Sequence, residues 1–224
     1  MPMTTESDAS LPRWGRITEP TTVLTNVVLA GVAFVLGARL GYGAAAEGSA
    51  SGSFIALGLL ATSVAAAFGA AAHGIDRRTD REQHDRCWRV ALYVTGFIGA
   101  GSMASVACFT ARGSIRNAIL IVSGLKLLAY FVRVARRPDF RVAAADYGAA
   151  LAVLLVGSLY AMVRWRLPGT GWMVAGVGVS LVAGLVQVRR IAPHRWFNHN
   201  DLYHVVQIAA LYLFYRGGAL LVDR

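Results

Sequence analysis

Charge is what this 224-residue sequence has least of. Only 15% of its residues are Asp, Glu, Lys or Arg, and 56% are hydrophobic, whereas a soluble domain carries roughly 25% charge. That shortage excludes an ordinary water-soluble domain. Cysteine is nearly absent too: Cys87 and Cys108 lie 21 positions apart, at opposite ends of one predicted helix. About 30 Å separates such positions, and a disulfide needs Cα atoms within about 7 Å. An intramolecular disulfide is excluded, and both are read as free thiols. The first 21 residues lack the apolar core of a cleavable signal peptide. There is no convincing tandem repeat and no low-complexity segment.

What replaces the missing charge is Ala, Val, Leu and Gly in long blocks, giving a mean hydropathy of +0.51. Seven blocks, near 22–42, 53–75, 88–110, 115–134, 142–163, 170–189 and 201–221, reach the roughly 20 residues needed to cross a hydrocarbon core of about 30 Å. The predicted fold is all-α: a polytopic membrane protein with a bundle of seven transmembrane helices. It divides into an N-terminal tail (1–21) and a single transmembrane domain (22–224). Turns are expected at Gly41-Tyr42-Gly43 with the run 48–53, at the polar stretch Asp76 to Asp85, at Arg136-Arg137-Pro138-Asp139, and at Pro168-Gly169 and Pro193. Small residues at four-residue spacing (Gly176, Ser180 and Gly184; Gly101 and Ser105) suit close helix packing in lipid.

A net charge of +10 raises the question of nucleic acid, but the arginines punctuate helix ends and form no stripe, so no nucleic-acid partner is expected. With seven crossings, fourteen arginines fall on the N-terminal side and seven on the other. The positive-inside rule then predicts a cytoplasmic N-terminus and an external C-terminus. The Ala-, Gly- and Arg-rich composition suits a GC-rich bacterial source and hence the inner (plasma) membrane.

The same topology puts all five histidines (His73, His84, His194, His199 and His204) on one side. Ionisable residues inside a membrane are rare and usually functional. His73 ends span two and Asp85 opens span three. Span seven begins Asn198-His199-Asn200-Asp201-Leu202-Tyr203-His204, with Gln207 one turn deeper. Asp201 and His204 are three apart, and Asn200 and His204 four apart, so each pair shares a helix face. A bundle that brought His73, His204 and a carboxylate together would suit zinc, which takes three His or carboxylate ligands and a water in catalytic sites. Metal-bound water supplies hydroxide near neutral pH, and Asp85, Asp201 or Asn200 would orient the imidazoles.

A His late in the second span, an Asp entering the third and a polar, His-bearing start to the seventh resemble the superfamily of alkaline ceramidases and progestin/adiponectin receptors. The resemblance is to a sparse set of positions between about 53 and 210. It implies a zinc-dependent intramembrane hydrolase of an amide- or ester-containing lipid, with zinc on His73 and His204 and Asp85 as the catalytic carboxylate. The superfamily's other late histidine corresponds here to Asn200, and the serine it places four residues before the span-two His corresponds to Gly69. The third ligand is therefore Asp201 or His199, with Cys87 a further possibility, and Asn200 and Gln207 stand behind the ligands. Two other readings stay open: a receptor or scaffold without turnover, and an electron carrier holding one haem between two histidines. A transporter is less favoured, since paired interrupted helices are missing. Membrane lipids are the expected partners.

Lys126 lies inside span four and Asp146 inside span five, at similar depths. An ion pair would relieve the desolvation of both. Asn26, in the first span, is expected to join that polar pocket.

Overall fold

The computed structural model describes residues 13–15 and 17–224. Among the described residues there are seven helices: α1 (Pro20–Glu47), α2 (Ala50–Gly74), α3 (Arg81–Thr110), α4 (Gly113–Arg136), α5 (Phe140–Trp165), α6 (Thr170–Arg189) and α7 (His199–Gly218). Two short strands, β1 (Arg13–Trp14) and β2 (Ile17–Thr18), pair antiparallel ahead of α1. α1 to α6 are each long and apolar enough to cross a membrane. The chain is an integral membrane protein, and all seven expected helices are present.

α7 is 20 residues long, about 30 Å, yet it falls outside those six candidate spans. Its polar residues are the reason, and the packing shows why they are tolerated. Asp201, His204 and Gln207 are 0%, 8% and 5% exposed, so the polar stripe faces protein and not lipid, as intramembrane polar groups must.

Several ends differ from the hydropathy reading. Gly41-Tyr42-Gly43 is helical, not a turn: α1 runs on to Glu47, and the chain reverses at Gly48, whose φ of 67° closes the helix. Glycine meets that left-handed geometry without steric cost. α3 starts at Arg81, before the apolar block at 88. Asp80 caps it by accepting from the Gln83 N–H at 3.0 Å, and Arg86 pairs with Glu82 one turn away. Hydropathy marks the lipid-buried stretch, whereas helix formation continues into the polar flank.

The ends of the helices alternate, so the starts of α1, α3, α5 and α7 meet the ends of α2, α4 and α6 at one end, here the basic end. α3 packs against α2, α4 and α5; α7 against α6, α1 and α2; and α4 leans on α3 with only slight contact to α5. The main core joins Leu29, Leu40, Leu59, Phe109, Leu154, Met173, Val177, Leu211 and Phe214. A separate cluster of Leu92, Tyr130, Val134 and Ala143 joins α3, α4 and α5. Of the small residues at helical spacing, Gly101 lets α3 approach the Phe54 carbonyl and Gly176 lets α6 receive the Phe214 ring, whereas Gly184 faces open space.

At the opposite end the residues after α7 turn back over the bundle. The Asp223 carboxylate accepts from Ala50 N at 2.7 Å and from Ser51 N at 2.9 Å, capping the first turn of α2. The Arg224 N–H donates to the Cys108 carbonyl, and its guanidinium lies 3.6 Å from the Trp165 ring centre. Cys87 and Cys108 are both free. Asp223→Ala is expected to lower stability by about 1 kcal/mol, the usual worth of a helix cap, with Asp223→Asn milder. Thermal unfolding of detergent-purified protein measures both.

Candidate functional site

The polar residues of the basic end are built from α7 outward. Asn198 caps α7, its side chain accepting from Asn200 N at 2.8 Å. Asp201 completes a capping box by accepting from the Asn198 N–H at 2.7 Å. Such reciprocal caps satisfy helix-end donors that would otherwise be left bare. The second Asp201 oxygen faces the Thr25 hydroxyl of α1 at 3.3 Å, and that hydroxyl lies 3.0 Å from His204 Nδ1.

One hydroxyl has one hydrogen, and an ionised carboxylate can only accept. The Thr25 hydroxyl also faces the Thr22 carbonyl at 3.2 Å, so its proton is shared between that oxygen and Asp201 Oδ1, and the hydroxyl accepts from His204 Nδ1–H. His204 Nε2 then carries the ring's lone pair. Around this centre, Asn198 Nδ2 donates to Thr22 Oγ1 at 3.4 Å and Gln187 Nε2 to Asn200 Oδ1 at 2.8 Å. One turn deeper, Gln207 Nε2 donates to the Tyr147 hydroxyl at 3.2 Å, which donates to Ser180 Oγ at 3.3 Å. Hydrogen bonds therefore tie α7 to α1, α5 and α6.

His73 stands on the other side of the α1 start. Its Nδ1 is 3.2 Å from Glu19 Oε2, its carbonyl accepts from Thr18 Oγ1 at 2.6 Å, and its ring meets Trp88 edge-on. Burial alone would raise the Glu19 carboxyl. The hydrogen bond from His73 and that ring's charge outweigh it, with smaller contributions from His199 and His84, and hold the group below the ordinary carboxylate range. Glu19 has a φ of 46°, a region a non-glycine residue occupies only where its surroundings impose it. A shallow opening of about 10 Å³ lies beside it, lined by Glu19, Thr22, Arg195, Trp196, Asn198 and Asp201.

The expected site residues thus divide. Asp201, His204 and Asn200 join one buried network, and Gln207 joins its deeper extension. His73 engages Glu19. His199 opens α7 close enough to Glu19 for their charges to interact. Asp85 faces His84 at 3.0 Å and Arg77 and Arg81 at 3.5 Å each, so its partners lie on the rim. Among the described residues no three His, Cys, Asp or Glu side chains are grouped to hold one metal ion. The donor set as arranged does not fit a three-ligand zinc centre, because Asp201 is held as a cap and His73 is held by Glu19.

The Lys126–Asp146 pair forms as expected, Nζ to Oδ2 at 2.6 Å with side chains 20% and 12% exposed. Gly99 makes the slot: a Cβ there would collide with Lys126 Nζ and lie 2.6 Å from Asp146 Oδ2. Asn26 does not join this pair. It lies between α1 and α2, where its amide donates to the Thr22 carbonyl at 3.0 Å and its oxygen is the neighbour of Gly69. The position taken by a serine in the resembling superfamily is here glycine against an asparagine.

Sequence reasoning missed Glu19, Thr22, Thr25, Asn198, Gln187 and Tyr147. A signal existed for α1, where Thr22, Thr25 and Asn26 put three polar side chains on one face of an apolar helix.

These features define a polytopic helical membrane protein with a buried polar network at its basic end. The chain belongs to the family of unknown function DUF6962, whose profile matches residues 21–223. The search of curated proteins and the search of solved structures each find no match.

Proposed function

We propose that this chain is a non-catalytic seven-helix membrane protein of receptor or scaffold kind, with its basic end in the cytoplasm. The observation that carries this reading is the engagement of the polar groups nominated for catalysis. Asp201 uses both oxygens within the protein, His73 faces Glu19, and Asp85 faces three cationic or imidazole groups. The result is a network that holds α1, α6 and α7 in one arrangement. The opening beside Glu19 holds about 10 Å³, room for about one water and far below the roughly 300–1,000 Å³ of pockets that bury drug-sized molecules. The placement of the basic end follows from the arginine excess.

A zinc-dependent hydrolase of amide- or ester-containing lipids is the second reading, and one observation favours it. His204 is buried at 8% exposed and keeps Nε2 as a lone pair, one turn from Asp201 on the same helix. One preparation separates the readings. Detergent-purified protein is expected to carry well under one zinc per chain, to release no fatty acid from ceramide or ester lipids, and to show no Soret band. Stoichiometric zinc that disappears in His204→Ala, together with lipid hydrolysis, overturns the non-catalytic reading; a Soret band lost in the same variant assigns a haem instead.

A further inference from the structure

We propose that the basic end of α3, α4 and α5 is a docking site for one anionic phospholipid. Its phosphate would sit on Arg133, Arg136, Arg137 and Arg141, with Arg89 at the margin, and its acyl chains along the seam between α4 and α5. The inference does not depend on the receptor or hydrolase reading.

The first argument is the uneven compensation of charge around the rim. At the α2–α3 turn, Arg77 and Arg81 both face Asp85, and Arg86 pairs with Glu82. Across the bundle, no described carboxylate pairs with Arg89, Arg133, Arg136, Arg137 or Arg141. Asp139 is the acidic residue there, and its Oδ1 accepts from the Arg141 backbone N–H at 2.8 Å. Arginine excess on one side orients a membrane protein wherever it falls. Its concentration on three neighbouring helix ends, without neutralising acids, is a separate property.

The second argument is convergence. Leu92 of α3, Tyr130 and Val134 of α4 and Ala143 of α5 share one cluster, with Trp88 packed against it. Arg89, Arg133, Arg136, Arg137 and Arg141 lie within about one helical turn of those residues, so the packing sets the three arginine-bearing helix ends side by side. Guanidinium groups present paired donors matched to phosphate oxygens. Basic pockets between transmembrane helices are a recurring headgroup site.

The third argument selects lipid. The patch continues directly into exposed apolar surface, with Phe140 at the start of α5 and Leu125, Leu128 and Val132 along α4. α4 and α5 are joined by only 137–139 yet touch little along their length, leaving a seam for an acyl chain. A polyanion arriving from water would gain nothing from that apolar continuation.

The test uses the full chain in mild detergent, with phosphatidylglycerol and phosphatidylcholine of identical acyl chains as probes. Native mass spectrometry is expected to retain phosphatidylglycerol, bound at least tenfold more tightly than phosphatidylcholine. R133Q/R136Q/R137Q/R141Q should erase that preference, and R112Q/R116Q/R164Q/R166Q at the other end should keep it. Equal retention of the two lipids, or equal loss in both variants, overturns the proposal. Because removing arginines can disturb insertion, photoactivatable phosphatidylglycerol is also applied to the unaltered chain. Labelling concentrated within 130–146 supports the site, and labelling spread evenly over all seven helices overturns it.

Discussion

Asp146→Ala is expected to be among the most damaging single changes in this chain, lowering stability by about 2–3 kcal/mol; the pair is part-buried, so this falls at or below the roughly 3–5 kcal/mol lost when one member of a fully buried pair is removed. Lys126 is the chain's single lysine and meets Asp146 at 2.6 Å between α4 and α5, with Gly99 of α3 against both. Removing the carboxylate strands an ammonium in a largely apolar interior. Lys126→Met should be similarly costly, for the mirror reason. The double change Lys126→Met/Asp146→Leu should recover most of the loss, because a well-packed apolar pair of similar volume often replaces a buried ion pair without penalty. Gly99→Val should resemble the single changes, since its side chain would enter the space that the pair occupies. Thermal unfolding of these four variants together with Asp146→Leu in one detergent closes the double-mutant cycle and gives the coupling. Single-variant losses below about 1 kcal/mol, the range of exposed pairs, would show that water reaches the pair and that α4 is held by other contacts.

Asp201→Ala should cost about 2–4 kcal/mol, combining the loss of an N-terminal cap with the stranding of buried donors. The carboxylate is 0% exposed and receives the Asn198 N–H and the Thr25 hydroxyl, so nothing else at that position can satisfy them. The damage should be local first. Amide exchange at the first turn of α7 should rise in the variant, while the α2–α3 contact stays protected. Asp201→Asn should do less harm, since one amide oxygen can still accept. A variant that loses bound zinc with no change in stability would contradict the structural role assigned to Asp201.

Much of this was legible from the chain alone, for identifiable reasons. Apolar blocks of membrane length can form little else than spanning helices, so the helix count followed directly, and α7 was found despite its polar residues. The Lys126–Asp146 pair was legible because two opposite charges inside adjacent apolar runs have few other partners. Helix ends were less so: Arg81 to Cys87 is helical through a cap and an ion pair, neither of which raises hydropathy. The site was half legible. Spacing relates Asp201 to His204 because both ride one helix, but it is silent on Thr25, which meets them only through the packing of α1 on α7. Glu19 was invisible for a similar reason. It precedes its helix, and its partner His73 is 54 positions further on in the chain.

The return of residues 223 and 224 to α2, α3 and α5 also bears on the order of assembly. Ser51 and the carboxylate that receives its N–H are 172 residues apart. At synthesis rates of about 5–20 residues per second, the start of α2 waits roughly ten to thirty seconds for that partner. The first hairpin therefore enters the bilayer unfastened, and it is latched only once Asp223 has been made.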